Sequence, residues 1–256
     1  MTKNEDELLN TRSKIIQKHV DDQNYENKSI LCIIPVRGSK IDPRSKPLKM
    51  LGDKFLIDWT LEFTINAKLI NQIIVSTSDE DLIKYLELNY PKTIKTHKRR
   101  LKLSQINKSI NQSIEEIVFN EDHHKIPDYI LVVNIEYPFR KSNYLNKAIN
   151  LMKIHKLDSV IGVRLDDNIF FKHTGRGLRQ ITRNDVLRLE RDELYKKVGG
   201  ISLVTTEYFK KSKSISGGKL GYIQMPKIAD IAVNNDIDWT MAESIVEKFL
   251  DNNTNM

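Results

Sequence analysis

The chain has 256 residues, 39% of them hydrophobic and 29% charged, enough to bury one sizeable core without staples. A single cysteine excludes an internal disulfide framework, and no apolar stretch approaches the roughly 18 residues of a membrane span. The polar opening MTKNEDELLN is not a leader pattern, so a cytoplasmic protein is expected. Forty-one Lys and Arg against 34 Asp and Glu leave a net charge of +7, which suits nucleic acid, an anionic surface, or phosphorylated and acidic small molecules.

Residues 1–28 read as an N-terminal helical extension, with one amphipathic helix from Glu5 to Val20, and residues 29–256 as a single domain. The continuous apolar run from Ile30 to Pro35 predicts a strand buried on both faces, with Cys32 as a buried structural thiol. A helix at Leu56 to Leu69, a strand at Ile73 to Ser76 and a helix opened by Ser78-Asp79-Glu80 follow. Next come a helix at Ile110 to Phe119, a strand at Tyr129 to Val133, a helix at Ser142 to Ile154 and a strand at Ser159 to Val163.

Turn signals at Asp166-Asp167-Asn168 and Thr174-Gly175-Arg176-Gly177 break the rhythm, predicting an inserted hairpin or arm over about 164–197. Strands at Ile201 to Thr205 and Gly221 to Met225 and a helix from Trp239 to Leu250, with Asp238 at its N-cap, close the chain. The alternation predicts an α/β fold, an open sheet with helices on both faces.

Behind the first strand the chain reads Arg37-Gly38-Ser39-Lys40-Ile41-Asp42-Pro43-Arg44-Ser45-Lys46-Pro47-Leu48. Open α/β sheets bind ligands at the carboxyl ends of their strands, so this cationic loop can take a polyphosphate; a solvated basic loop is the plainer alternative. It is neither a Walker A loop nor a GxGxxG turn.

The string Leu51-Gly52-Asp53-Lys54-Phe55-Leu56-Ile57-Asp58-Trp59-Thr60 completes a pattern that resembles the acylneuraminate cytidylyltransferase (CMP-sialic acid synthetase) family, with its relatives for other nonulosonic acids and Kdo. Ile73-Ile74-Val75-Ser76-Thr77-Ser78-Asp79-Glu80, Arg99 with Leu103-Ser104, Tyr137-Pro138-Phe139-Arg140, Arg191-Asp192-Glu193-Leu194 with Gly199-Gly200, and Ala242-Glu243 extend it over about 30–250. The resemblance implies a Rossmann-like nucleotidyltransferase three-layer sandwich, mostly parallel, whose inserted arm forms a homodimer, with Phe170 and Phe171 as anchors. It implies transfer of CMP from CTP to an acidic sugar with release of pyrophosphate and the use of Mg²⁺. The implied catalytic set is Arg37, Lys40 and Lys46, and the nucleotide set Arg37, Gly38, Ser39, Lys46 and Arg99. Asn134, Arg140, Arg188 and Arg191 would hold the sugar, arginine being suited to a carboxylate.

The sequence also departs from that family. Pro47 replaces an asparagine, Glu136 and Tyr137 replace a threonine and a serine, and the ungapped register puts Ala232 and Asn234 where the family has its metal-binding aspartates. Only a gapped register makes Asp236 and Asp238 the metal ligands. A degenerate member that binds a nucleotide or a partner is therefore the alternative reading. The histidines lack zinc-site spacing, and the basic stretch Lys95 to Lys102 lacks interleaved aromatics, so neither zinc nor nucleic acid is expected.

Overall fold

Strand β1 (Ile30–Val36) alternates strictly between two faces: Ile30, Cys32, Ile34 and Val36 enter one hydrophobic cluster, Leu31 and Ile33 another. Such a strand forms only where helices cover both faces. The computed structural model describes residues 28–104, 109–120, 125–181 and 193–253, so the expected helix from Glu5 to Val20 lies outside the described residues.

Helix α1 (Leu56–Ile65) leads to β4 (Gln72–Thr77), and α2 (Glu80–Asn89) to β5 (Ile94–Lys98); a small hairpin of β2 (Met50–Leu51) and β3 (Lys54–Phe55) precedes α1. One turn, α3 (Leu101–Ser104), and α4 (Ile110–Glu115), extended by a π-turn over Glu116–Asn120, bring the chain to β6 (Tyr129–Val133). After α5 (Asn143–His155) and β7 (Ser159–Leu165), strands β8 (Phe171–His173) and β9 (Leu178–Gln180) form the expected hairpin, closed by Thr174 N–H donating to Gly177 O at 2.9 Å. The chain finishes with β10 (Tyr195–Thr205), α6 (Thr206–Ser212), β11 (Leu220–Gln224) and α7 (Asp236–Asn253).

The main sheet has seven strands in the order β11-β7-β10-β6-β1-β4-β5. Every pairing is parallel except the two made by β10, which runs against both β6 and β7. Residues of α1, α2, α5 and α7 pack on one face, and Ile114, Ile117, Val118 and Phe209 cover the other. The result is a three-layer, mostly parallel α/β sandwich.

Helix α2 starts where the sequence predicts: Asp79 is its N-cap, accepting from Asp81 N at 3.1 Å and Leu82 N at 3.3 Å. Helix α7 starts earlier than expected. Asn235 is its cap, with Oδ1 accepting from Asp238 N at 2.9 Å, so Asp238 sits in the first turn rather than at the N-cap. The reason is competition between neighbours: an asparagine three residues upstream takes the amide that a cap at Asp238 would have left to others.

Candidate functional site

From β1 the chain winds one way to β4 and β5, then returns to lay β6 on the other side of β1. The carboxyl ends of β1 and β6 therefore flank the switch point of the sheet, where open α/β folds bind their ligands. A cleft of about 270 Å³ opens there, between Arg37 and Asp42 from the β1 loop, Arg99 beyond β5, and Asn134 and Glu136 beyond β6. Leu103, Ile110, Val132 and Ile215 form an apolar wall.

The loop is tied to the body at Gly38. Its φ of +81° is a left-handed conformation, and a Cβ there would lie 2.6 Å from Asp79 Cβ, so only glycine lets the loop pack on the α2 cap. The Gly38 carbonyl accepts from Asp42 N at 3.0 Å and Ile41 N at 3.2 Å, which turns the chain back toward the cleft. Asp42, nearly buried, accepts from Arg44 Nε at 3.0 Å and Nη2 at 3.1 Å, while Arg37 stands 3.9 Å away. The Arg44 hydrogen bond holds the Asp42 carboxyl below the usual carboxylate range.

Arg99 is the most constrained cation in the cleft. It donates from Nη2 to Ser76 O at 2.7 Å and from Nε to Ser76 Oγ at 3.2 Å, and that hydroxyl meets His97 Nδ1 at 2.9 Å. Burial, then the nearby Arg37 charge, lower its pKa to about 10, so it stays protonated at neutral pH. Opposite lies the partly buried Glu136. Its carboxyl is shifted upward, chiefly by burial, against the pull of Arg140 and Arg37.

The structure gathers Arg37, Arg99 and Asn134 in one cleft with the Gly38 turn. It places Lys40, beside the exposed Ser39, in solvent on Asp81 at 3.7 Å, and Lys46 on Asp236 at 3.3 Å; neither lines the cleft. Arg140 does not join it either. Its guanidinium points inward, donating to Gly199 O at 2.9 Å and Thr60 Oγ1 at 2.8 Å and stacking on Phe63, because Pro138 and Phe139 turn the chain behind the sheet. Arg188 and Arg191 lie outside the described residues. Sequence reasoning missed Asp42 and the Ser76-His97 support. The Asp-Pro-Arg turn signals the first, but nothing local signals the second, since it depends on β4–β5 pairing.

The family resemblance implies Mg²⁺, and the carboxylates around the start of α7 do not fit it. Ala232 offers no donor atom, the Asp236 side chain is 91% exposed and carries Lys46, and Asp238 Oδ2 accepts from Asn234 N at 3.0 Å. Asp230 is held by Arg164 at 3.1 Å and Lys196 at 3.2 Å. Among the described residues no three or more His, Cys, Asp or Glu side chains are grouped to hold a metal ion. A hard divalent cation needs uncommitted anionic oxygen, which these side chains do not offer.

Comparison with known proteins matches this fold. Residues 31–198 fit the cytidylyltransferase family. The chain is 27% identical over 233 residues to N-acylneuraminate cytidylyltransferase A of Danio rerio, covering 88% of this chain and 52% of that protein. It is 20% identical over 225 residues to post-translational flagellin modification protein B of Campylobacter coli, covering 86% and 95%. A solved CMP:2-keto-3-deoxy-manno-octonic acid synthetase, complexed with CTP, shares the fold with a TM-score of 0.62 at 12% identity, covering 86% of this chain and 99% of that one. The chain spans about half the length of the Danio rerio relative. With more than half of its residues matched, including the β1 loop, β6 and the start of β10, the chain belongs to the cytidylyltransferase family.

Proposed function

We propose that the chain binds CTP in the switch-point cleft and transfers its CMP moiety to an acidic sugar of the N-acylneuraminate or 2-keto-3-deoxy-octonic acid kind. The observation that carries this reading is the convergence of Arg37 and Arg99 on a cleft whose loop is fixed by Gly38. In such a transfer the sugar's anomeric oxygen bonds to the α-phosphorus and pyrophosphate leaves. The protein's work is then positioning and neutralising phosphate charge, which fixed guanidinium groups do well. Arg99 is held by two hydrogen bonds to Ser76 and needs no reorganisation to act. We also propose that the β8–β9 arm packs on a second copy, since Ile169, Phe171, Leu178 and Ile181 all face solvent in the single chain.

A second reading, nucleotide binding without transfer, is favoured by one observation: the segment from Ala232 to Asp238 presents no free carboxylate toward the cleft. Titration calorimetry with CTP and with ATP, each with and without Mg²⁺, followed by a pyrophosphate-release assay with N-acetylneuraminate and with Kdo, separates the two. Selective CTP binding plus pyrophosphate release supports the transferase. Selective CTP binding with no release across both sugars supports the second reading, and no CTP binding overturns both.

A further inference from the structure

A second cavity, larger than the nucleotide cleft, opens elsewhere in the molecule. It measures about 620 Å³ and lies behind the sheet, between α1, the start of α5 and the turn after β11. Trp59, Phe63, Phe139 and Tyr144 supply aromatic walls, and Trp59 meets Phe139 edge-on at 5.7 Å. Trp59 and Phe63 belong to the face covered by α1, whereas Val132 and Ile110 of the cleft belong to the opposite face, so the two spaces are separated by the sheet.

Charge in this cavity is unbalanced. Lys54 pairs with Glu62, which leaves Arg140 and Lys141 as two cations with no ion pair to a carboxylate among the described residues. Arg140 is only 8% exposed, and its two terminal nitrogens meet neutral acceptors while its buried Nε has no partner. A buried guanidinium with a spare donor is costly unless an anion completes it, and Glu136, whose charge favours it, forms no ion pair with it among the described residues. Phe63 offers a ring face 4.5 Å from that guanidinium, which offsets part of this cost but satisfies no N–H group. The remaining capping group, Ser142 at the start of α5, makes no side-chain bond to its helix.

From this juxtaposition we infer that the cavity behind the sheet is a second small-molecule site, which takes a planar ring carrying a carboxylate or phosphate, the ring between the aromatic walls and the anion toward Arg140 and Lys141. The site is distinct from the nucleotide cleft and does not depend on the transferase reading. The chain has two tryptophans, Trp59 in this cavity and Trp239 buried beneath Lys49, so intrinsic fluorescence reports directly on it.

The test titrates the full chain with benzoate and with phenyl phosphate, following tryptophan emission and calorimetry, with neutral benzamide as control. The expected result is saturable binding of at least one anion, about tenfold weaker binding of benzamide, and a similar loss in Lys141→Glu. Trp59→Phe should abolish the emission change while Trp239 emission remains. The tighter of the two anions identifies the head group. No saturable binding of either anion, equal binding of benzamide, or an unaltered Lys141→Glu titration by calorimetry overturns the inference.

Discussion

Two loops at the carboxyl end of the sheet have fared differently. The loop after β1 is ordered around its cations: Gly38 locks it to α2, Asp42 orders Arg44, and Arg37 reaches the cleft. Around the start of α7 the polar groups are committed to other uses, with Asn235 capping the helix, Asp238 accepting a backbone amide and Asp236 meeting Lys46 in solvent. With CTP in the cleft as proposed, the difference would mean that holding an anion and holding the cation that accompanies it are separable in this fold. One end of the site can persist while the other is rebuilt as ordinary structure.

The strongest way to break this contrast is Arg37→Ala. Loss of one charge-assisted phosphate contact should weaken CTP binding by about 2–3 kcal/mol, some 30- to 150-fold, by calorimetry; a loss below threefold would mean that the β1 loop is not the anion site. Rebuilding the other loop should have the next largest effect. The double variant Ala232→Asp with Asn234→Asp is expected to raise the Mg²⁺ enhancement of CTP binding about tenfold, and an unchanged Mg²⁺ response would show that position alone does not restore the cation site.

Glu136 faces the same cleft with a carboxyl shifted upward by burial. Its negative charge opposes a triphosphate and disappears as pH falls through the raised pKa, so CTP binding should tighten about threefold from pH 8 toward pH 5.5. Glu136→Gln should bind CTP more tightly at pH 8 and lose that part of the pH dependence. The smallest effect is expected for Asp236→Asn: an exposed ion pair contributes less than about 0.5 kcal/mol, so urea unfolding should be unchanged and CTP affinity should rise no more than about twofold as Lys46 is freed.

How much of this was readable beforehand depends on how local the cause is. The strands β1, β4 and β6 announced themselves as apolar runs, and the hairpin over Thr174 to Gly177 as turn residues, because both signals act over a few neighbours. Strand β5 escaped notice: Ile-Lys-Thr-His-Lys carries one aliphatic residue, and it pairs only along one side, at the sheet edge. Strand β10 begins at Tyr195, earlier than expected, because three residues assigned to the arm pair with β7 ahead of a bulge at Gly199 and Gly200. Those glycines are explained only by tertiary contact, since a Cβ at Gly200 would lie 2.6 Å from the Tyr137 ring. Within the site, Arg37, Arg99 and Asn134 were legible from loop position and motif. The inward course of Arg140 was not, because its partners Gly199 and Thr60 lie 59 and 80 residues away along the chain.

Cys32 lies in the middle of β1, flanked by Ile73 of β4 and Leu131 of β6, with no exposed surface. Burial pushes its thiol well above the ordinary range, so the closed molecule offers alkylating reagents neither access nor a thiolate. As the chain's sole sulfhydryl, it acts as a clock: each labelling event dates one opening of the strand that leads into the cationic loop. A ligand bound at the end of β1 would slow that clock, and its occupancy could be timed without any assay of catalysis.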